Sequence, residues 1–511
     1  MSSASSRKDR LKRAESLIHP EIRNPFVHEL NLTTTDKIRI ALMSVTVAPI
    51  RLLLVLVLIL VDCLLANIAI AGLTQQQLES EPLKGWRRML LHPLCWIGRF
   101  QFFIMGFHYV TIKGQRASGE EAPICVISPH TSFFDIMIVF VLGLTSSSCV
   151  SREENQNAPL LGTLVRVLQP VSVSRTDPNS RQSTVREIIK RSQPGSKWPQ
   201  ILIFPEGTCA NRTCLISFKP GAFYPGLPVQ PVALRYKTKP DTVIWTWKGP
   251  NVLTCVWLTF CNFNNEVEVE FLPVYKPNEE EKKDAKLFAR NVRGVIAKAL
   301  DLPVTDHTFE DCRLMMEASK FGLPMEAGIV EFQKIIVKLG LKLSDIKEQL
   351  PKYAAIANSK GYISIEDFAE YLKLPVSPAL EEVFAMYDRD GSGKIDFREY
   401  VIGCSLVSKP AKTEETITMA FKLFGGEKGY ITKVELVQIL KNAFTMKDEG
   451  AEELFNQIDV NKTGQITYDQ FKAYADEKPE YASLFNIYQE LTNSETTKTD
   501  SNVNNSKDKT D

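Results

Sequence analysis

The sequence lacks the signatures of several common protein classes. Its 511 residues include only 10 cysteines, and no two of them form a C-x2-C pair, which argues against a disulfide framework and against a zinc site. The formal net charge of +1 predicts no nucleic-acid-binding surface. The first long apolar run begins too late for a cleavable signal peptide. At ~150 residues per domain, the chain is long enough for about three domains.

An uninterrupted hydrocarbon run follows a polar, basic amino terminus. We interpret residues 1–40 as a disordered basic arm. The run Leu52–Val61 contains only Leu, Val and Ile, and the apolar stretch continues past Asp62 to Ala71. These roughly 20 residues are enough to cross or enter a bilayer. Because an aspartate is costly at a bilayer centre, we expect Asp62 to face a partner or the helix to stay in one leaflet. A buried core helix is the alternative.

A second apolar stretch, Met89–Phe107, is broken by Pro93 and Arg99 and follows basic and aromatic residues. Such flanks with a broken middle favour an interfacial or re-entrant helix over a span. We therefore assign residues 41–107 to membrane-anchoring helices and expect the lipid bilayer to be a partner.

Residues 108–304 alternate between strand-like and helical patterns. This alternation predicts an α/β domain with a largely parallel sheet, whose ligands bind at the carboxyl ends of the strands. The predicted strands are Tyr109–Lys113, Ile124–Ser128, Gln200–Phe204, Val229–Tyr236 and Val267–Val274, and the predicted helices lie at about 132–144, 158–168, 180–191 and 283–300.

A histidine and an aspartate follow the second predicted strand. His130 comes directly after the strand, and Asp135 stands five residues later, where an apolar helical pattern starts. An aspartate so placed can hold the imidazole tautomer and stabilise the imidazolium that forms when a hydroxyl proton is taken. The pair predicts a general base, with a surface histidine beside a helix-capping aspartate as the alternative.

Three further motifs follow in a fixed order. They are a strand ending in arginine, Val171–Arg175, then an FPEGTC turn after Ile201–Ile203, then a proline-rich strand, Leu227–Val232. Each is weak alone, but with H-x4-D they resemble the glycerolipid acyltransferase family over about residues 85–300. That resemblance implies transfer of an acyl group from acyl-CoA to a glycerolipid hydroxyl.

The resemblance also implies roles for individual residues. His130 is the predicted base and Asp135 its orienting partner. Arg175 can grip the acceptor's phosphate in a bidentate manner, although a surface arginine is the simpler interpretation. Because no acyl-enzyme is needed, Cys209 need not be a nucleophile. The predicted substrate-binding residues are Arg175, Glu206, Gly207, Thr208 and Cys209.

Within that family, an EGTC turn combined with EF-hands resembles the lysophosphatidylcholine acyltransferases of types 1 and 2. The stretches Phe204–Arg212, Phe218–Ala222 and Val304–His307 look closest to type 2. This implies a lysophosphatidylcholine acceptor, and acetyl transfer from acetyl-CoA to lyso-platelet-activating factor as a second activity. One departure is Ser128-Pro-His in the first motif, where many members have Asn before His. The missing amide predicts an altered positioning of His130.

An all-α EF-hand domain is predicted over residues 305–490. The stretch Asp388–Glu399 fits the twelve-residue calcium loop, with Gly393 at the sharp turn and a glutamate at the last position. A second loop, 459–470, ends in a neutral glutamine, which leaves its Ca²⁺ occupancy open. The predicted ligands are Asp388, Asp390, Ser392, Lys394 (through its carbonyl) and Glu399 in the first loop, and Asp459, Asn461, Thr463, Gln465 and Gln470 in the second.

Two degenerate loops complete the predicted set. Ile356–Asp367 and Phe424–Glu435 keep the glycine and the final carboxylate but have an apolar residue at the first ligand position. We expect four helix-loop-helix units in two pairs, in which the degenerate members serve only for pairing.

The chain ends in a predicted disordered tail, residues 491–511. Lys507 and Lys509 match a K-x-K-x-x endoplasmic-reticulum retrieval pattern, although a solvated tail explains it almost as well. With the membrane helices, this predicts the endoplasmic-reticulum membrane, with the Golgi membrane and the lipid-droplet surface as further sites and the cell membrane less favoured. The basic amino terminus and the lysine pattern at the carboxyl terminus both favour cytosolic chain ends, which fit a helical hairpin in one leaflet. A single span instead places the enzyme in the lumen, where Asn211–Thr213 is a glycosylation sequon.

Two other functions compete with the favoured one. The first is phosphatidate synthesis from lysophosphatidate, which differs only in the acceptor head group. The second is a non-catalytic calcium-sensing membrane adaptor with an inactive acyltransferase fold. The intact pair of His130 and Asp135 argues against the adaptor.

Overall fold

Two separately packed units make up the chain, and the division between them falls between Phe309 and Glu310. The computed structural model describes residues 24–143, 147–174, 180–328, 341–372, 374–376, 378–407, 421, 428–444 and 448–478. The predicted arm before residue 24 and the predicted tail from residue 491 lie outside these ranges.

Five helices open the first unit. They are α1 (Thr34–Val45), α2 (Val47–Ile70), α3 (Gln75–Ser80), α4 (Gly85–Met89) and α5 (Leu91–Ile104). Helix α1 begins at a capping box, in which the Thr33 side chain accepts the N–H of Asp36 and the Asp36 carboxylate accepts the N–H of Thr33. Phe26 is fully buried. The folded chain therefore starts earlier than the predicted boundary at residue 40, because a buried aromatic side chain and a capped helix lie before it.

Helix α2 is the one helix in the described part of the chain that is long and apolar enough to cross a membrane by length and composition. At 1.5 Å per residue it is about 36 Å long. Its two charged side chains are buried. Asp62 Oδ2 accepts a hydrogen bond from Gln101 Nε2 on α5 at 2.7 Å. Arg51 Nη1 donates to the carbonyl oxygens of Phe260 at 2.7 Å and Asn262 at 2.5 Å. Asp62 therefore faces a partner, and the outward side of α2 is left to leucine, valine and isoleucine.

A seven-stranded mixed sheet forms the centre of the first unit, in the order β1-β7-β6-β2-β5-β3-β4. All neighbouring strands are parallel except β6 and β7. The strands are β1 (Tyr109–Lys113), β2 (Ile124–Ser128), β3 (Ser147–Arg152), β4 (Val171–Val173), β5 (Gln200–Ile203), β6 (Val229–Tyr236) and β7 (Glu266–Phe271). The largely parallel α/β class is confirmed, and β1, β2 and β6 have their predicted bounds.

Helices cover both faces of the sheet. The remaining ones in this unit are α6 (Met137–Leu142), α7 (Gly162–Val167), α8 (Ser180–Ser192), α9 (Val252–Cys261), α10 (Glu279–Lys283) and α11 (Ala285–Leu300). Strand β2 alternates between two cores: Ile124 and Val126 pack with residues of α11, whereas Cys125 and Ile127 pack with residues of α2 and α5. The sheet therefore separates an α11 layer from the layer that carries the apolar helices.

The second unit is a set of helix-loop-helix elements. Its helices are α12 (Phe309–Lys320), α13 (Leu343–Ile356), α14 (Ile365–Leu372), α15 (Pro378–Tyr387), α16 (Phe397–Val407), α17 (Lys433–Phe444), α18 (Asp448–Ile458) and α19 (Tyr468–Glu477). The loops pair through short antiparallel contacts, Ile363 with Ile395 and β8 (Tyr430–Thr432) with β9 (Gln465–Thr467). Each calcium-type loop is therefore paired with one degenerate loop.

Candidate active site and calcium loops

The carboxyl ends of three adjacent strands meet at one edge of the sheet. Strand β2 lies between β5 and β6 and is parallel to both. His130 follows β2, Glu206 follows β5, and Tyr236 is the last residue of β6. Parallel packing of these strands brings side chains from three distant segments to a single point.

His130 and Asp135 are in direct contact at this edge. His130 Nδ1 lies 2.8 Å from Asp135 Oδ2, and the same oxygen accepts the backbone N–H groups of Thr131 at 2.7 Å and Ser132 at 3.0 Å. Since a carboxylate can only accept, Nδ1 carries the proton and Nε2 is left as the basic nitrogen. The His130 side chain is 24% exposed and that of Asp135 is fully buried, so the imidazole has solvent access and its partner does not.

The second oxygen of Asp135 is held by a residue that sequence reasoning missed. Tyr236 donates its hydroxyl to Asp135 Oδ1 at 2.7 Å. The tyrosine stands at the end of a buried parallel strand, the kind of position at which ligand-binding residues occur. That position is the only signal in the sequence that points to it.

Glu206 lies behind the turn that carries His130 and not at its surface. It is fully buried, and its Oε1 accepts the Ser128 hydroxyl at 2.5 Å and the His130 N–H at 3.0 Å. Among the described residues, its Oε2 has no hydrogen-bond partner. Burial raises the pKa of Glu206 to about 7. Ser128 thus ties the end of β2 to this acid, and Glu206 is placed to position His130, not to reach a phosphate or a head group.

The rest of the EGTC turn lies beside the imidazole. Gly207 has a φ of 68°, which favours glycine. A Cβ at this position would also lie only 3.0 Å from Lys219 Cε. The N–H of Ala210 donates to the His130 carbonyl at 2.8 Å. Cys209 is half-buried, whereas the other nine cysteines are buried. Thr208 is also half-buried.

The surroundings of His130 favour its protonated form. Burial of the imidazole opposes protonation, but the sulfur of Cys209 and the carboxylate of Asp135 favour it, and the balance raises the pKa of His130 well above its usual value. The Phe204 ring stacks on the imidazole with 4.5 Å between centroids. An imidazole held in this way can take a proton and retain it as a stabilised imidazolium.

The loop at 388–399 brings several carboxylates close together. Oxygen atoms of Asp388, Asp390 and Glu399 all lie within 4.8 Å of one another. Burial raises the pKa of Asp388 and raises that of Glu399 to about 7. Ser392 Oγ donates to the Lys394 carbonyl at 3.2 Å, which puts two further oxygens in the same loop. This is an oxygen set of the kind that Ca²⁺ requires.

The loop at 459–470 is built differently at its last position. Asp459 accepts the N–H groups of Thr463 and Gly464 at 3.1 and 2.7 Å, as Asp388 does in the first loop with Ser392 and Gly393. Gln470 Oε1 accepts the N–H of Thr467 at 2.9 Å and caps helix α19, as Glu399 Oε2 accepts the N–H of Asp396 at 3.2 Å, but the glutamine has no charge. Asn461 and Gln465 are exposed. Asp459 is the one carboxylate among its five predicted ligands.

Comparison with known proteins identifies both units. The family model described as Acyltransferase matches residues 109–235, the EF-hand domain pair matches 414–475, and a single EF hand matches 380–401. Lysophosphatidylcholine acyltransferase 2 of Danio rerio is 50% identical over 487 residues, covering 94% of this chain and 91% of that protein. The chain belongs to the lysophosphatidylcholine acyltransferase family. The resemblance seen in the motifs is confirmed.

Two further comparisons involve a type 1 enzyme and a solved structure. Lysophosphatidylcholine acyltransferase 1 of Homo sapiens is 45% identical over 482 residues, covering 94% of this chain and 89% of that protein. The crystal structure of the 1-acyl-sn-glycerophosphate (LPA) acyltransferase PlsC from Thermotoga maritima covers 52% of this chain and 96% of its own, with 18% identity and a TM-score of 0.34.

Two residues singled out in the sequence, Arg175 and Asn211, are not among the residues of the site described above. Arg175 lies outside the described residues. Asn211, in the predicted sequon, donates its amide Nδ2 to the carbonyl oxygens of Asn24 at 2.9 Å and Val27 at 2.8 Å. Both amide hydrogens are therefore used within the folded unit, where Asn211 holds the amino-terminal segment in place. The sequon is expected to carry a glycan only in a lumenal enzyme, and that expectation stays a prediction.

Proposed function

We propose that this acyltransferase transfers an acyl group from acyl-CoA to the free hydroxyl of lysophosphatidylcholine, with His130 as general base and Asp135 as its orienting partner. The observation that carries the proposal is the 2.8 Å contact between His130 Nδ1 and Asp135 Oδ2, which leaves Nε2 as the nitrogen that accepts a proton. The acceptor follows from the names of relatives that match 94% of the chain.

The reaction needs no covalent enzyme intermediate. His130 Nε2 takes the proton of the acceptor hydroxyl as its oxygen attacks the thioester carbonyl. The new O–C bond forms, the C–S bond breaks, and the departing coenzyme A thiolate receives the proton back from the imidazolium. The Asp135 carboxylate stabilises the positive ring. Since one base performs both transfers, Cys209 has no required covalent role.

A second acyl donor and a phosphate ligand complete the substrate proposal. Similarity to type 2 enzymes supports acetyl transfer from acetyl-CoA to lyso-platelet-activating factor at the same site. Arg175 is proposed to bind the acceptor's phosphate, and Thr208 and Cys209 to line the cleft with Gly207. Glu206 is better placed to position His130 than to contact the acceptor.

We further propose that α2 and α5 hold the enzyme in one leaflet. Their outward faces carry exposed apolar side chains, among them Leu53, Trp96 and Phe100. Both halves of α2 contact the sheet domain: Arg51 binds carbonyl oxygens at the end of α9, and Cys63 Sγ donates to the Leu160 carbonyl at 3.1 Å. A spanning helix would carry its ends to opposite sides of a membrane, so these contacts support the hairpin.

Epitope tags at both termini should then be accessible from the same side. The endoplasmic-reticulum membrane remains the proposed site, with the Golgi membrane and lipid droplets as others.

Calcium is the proposed ligand of the second unit. Asp388, Asp390 and Glu399 would hold the ion through carboxylates, and Ser392 and Lys394 would add a hydroxyl and a carbonyl oxygen. The ion would supply the positive charge that the clustered carboxylates lack. The loop at 459–470, with one carboxylate, is proposed to bind Ca²⁺ more weakly.

The test is acyl transfer from radiolabelled acyl-CoA by His130→Ala, with His92→Ala as the matched control because His92 is exposed. We expect H130A to lose at least a hundredfold in rate and H92A to keep the wild-type rate. Unchanged activity in H130A would exclude general-base catalysis by the His130–Asp135 dyad. Inactivity of the wild type would favour the non-catalytic calcium-sensing adaptor. Competition between lysophosphatidylcholine and lysophosphatidate separates the two acceptor classes, and a preference for lysophosphatidate would overturn the proposed acceptor.

A further inference from the structure

The two oxygens of the Asp135 carboxylate are held by different parts of the fold. Oδ2 is bound within its own turn, by two backbone N–H groups and the imidazole of His130. Oδ1 receives the hydroxyl of Tyr236, which lies 101 residues further along the chain. Because Asp135 is fully buried, no water can replace a lost donor without rearrangement.

Tyr236 is itself fixed independently of Asp135. The residue is 7% exposed, and its ring packs edge-on against Phe107 at 6.2 Å between centroids. Arg212 Nη1 donates to the Tyr236 carbonyl at 2.8 Å, and the guanidinium lies 5.8 Å from the ring centre. Arg212 also pairs with Asp241. These contacts fix the end of β6, and with it the Tyr236 hydroxyl, independently of the contact between His130 and Asp135.

We infer that Tyr236 is a positioning residue of the acyl-transfer reaction, whose hydroxyl fixes the rotation of the Asp135 carboxylate so that Oδ2 stays on His130 Nδ1. This inference rests on the proposed role of the dyad. A carboxylate with one oxygen unbound can rotate about its Cβ–Cγ bond and lose its alignment with the imidazole. The hydroxyl also takes a share of the carboxylate's negative charge, which moderates its pull on the imidazolium proton.

Removing this hydroxyl has a predictable signature. We expect Tyr236→Phe to lower kcat by about tenfold to a hundredfold, the range for loss of a hydrogen bond to a buried charged group. KM for both substrates should change by less than about twofold, because the hydroxyl contacts Asp135 and not a substrate.

The pH profile provides a second signature. The charged or titratable groups around the imidazole and its partner are Asp135, Glu206, Cys209, Tyr236 and Arg212. Of these, only the Tyr236 hydroxyl is removed by the substitution. A less neutralised carboxylate holds the imidazolium proton more strongly, so the acid limb of kcat/KM should move to higher pH in Y236F.

Tyr275→Phe is the matched control. Tyr275 donates its hydroxyl to the Glu281 carboxylate at 2.6 Å, so Y275F makes the same chemical change in the same unit at a different carboxylate. It should leave kcat and the acid limb unchanged. In a double-mutant cycle, Y236F should have little further effect once Asp135→Asn has removed the charge.

These outcomes separate the inference from the proposed function. An inactive H130A with a fully active Y236F would keep the dyad and overturn the role of Tyr236. A lowered unfolding temperature in Y236F with unchanged kcat and an unchanged acid limb would reduce Tyr236 to a structural residue and also overturn it. Should Y236F not fold, 3-fluorotyrosine at position 236 offers a stronger donor, and the acid limb should then move to lower pH; no movement would contradict the inference.

Discussion

The two units use buried carboxylates in opposite ways. In the catalytic unit, Asp135 has donors on both oxygens, supplied by its own turn and by Tyr236. In the second unit, oxygen atoms of Asp388, Asp390 and Glu399 lie within 4.8 Å of one another, and backbone N–H groups donate to Asp388 and Glu399. The first is a single carboxylate in contact with an imidazole, whereas the second is a cluster of like charges, the kind of arrangement that suits a cation. The two therefore differ in the groups around the carboxylates and not in residue type.

The degenerate loop at 356–367 has a carboxylate at its last position but binds it with a side-chain donor of its own. Asn358 Nδ2 donates to Asp367 Oδ2 at 3.0 Å across the loop at 356–367, where a cation would otherwise join the third and twelfth positions. The loop still pairs with its neighbour through Ile363 and Ile395. One internal hydrogen bond thus closes a loop that has lost its first aspartate.

The largest effect should come from uncoupling the dyad. Asp135→Asn removes the negative charge that stabilises the imidazolium, and it replaces one of the two acceptor oxygens by an NH2 group, so the residue cannot accept from both the imidazole at Oδ2 and the Tyr236 hydroxyl at Oδ1. We expect kcat/KM for acyl transfer to fall by about 10²- to 10⁴-fold. Glu121→Gln is the control, since Glu121 also accepts a turn N–H, from Ser118 at 2.9 Å, but precedes the opposite end of β2. A wild-type rate in D135N would show that the orienting carboxylate is dispensable.

The next largest effect should be on the pH dependence of the unfolding free energy, and it comes from Glu206. Its pKa is raised from 4.5 to about 7 by burial, so the stability that it contributes is complete below about pH 4.5 and is lost as pH rises through 7. Relative to Glu206→Gln, which cannot ionise, the wild type should lose about 3 kcal/mol of unfolding free energy between pH 4.5 and 8. Denaturant unfolding in detergent at several pH values measures this difference. A constant difference between the two proteins would mean that Glu206 is ionised throughout.

A smaller effect should follow from weakening the calcium loop. Glu399→Gln removes one of three carboxylates, and we expect Ca²⁺ affinity, measured by isothermal titration calorimetry on the full chain, to fall by about tenfold to a hundredfold. Glu435→Gln changes the same loop position in a degenerate hand, where Glu435 accepts the N–H of Thr432 at 2.9 Å. That control should bind Ca²⁺ as the wild type does. Equal losses in both variants would contradict the assignment of the site.

The smallest effect should come from the link between paired loops. The buried hydroxyl of Tyr353 donates to the carbonyl oxygens of Gly361 at 2.7 Å and Ile395 at 3.1 Å, and so bridges the degenerate loop and the calcium loop. Tyr353→Phe should reduce Ca²⁺ affinity by about threefold, as expected for loss of one neutral hydrogen bond. An unchanged calorimetric titration would show that the calcium loop is preorganised without this bridge.

Local features of the fold were predictable from the sequence. Strands β2 and β6 are buried and parallel, and such strands appear as short apolar runs with clear ends. The contact between His130 and Asp135 is also local, since one turn of five residues closes it. Strand β3 was missed because it opens with Ser147 and Ser148, which are polar but buried; the Ser148 hydroxyl donates to the Gln169 carbonyl at 2.9 Å.

The rest of the site depends on contacts across the sheet. Tyr236 reaches Asp135 only because β6 lies beside β2, and strand order is not encoded in local periodicity. A motif also cannot show which way a carboxylate in a turn faces. Glu206 was therefore predicted as a substrate ligand, whereas it points inward to Ser128 and the backbone of His130.

The pH dependence of kcat/KM for acyl transfer tests the dyad most directly. His130 must be neutral to accept a proton, and its surroundings raise its pKa well above the ordinary value of 6.5. Activity at low substrate should therefore rise with pH through a group that titrates above 6.5, and a histidine-free control reaction in buffer should not show this limb. A profile that is flat or falls between pH 6 and 9 would mean that no histidine base limits the reaction.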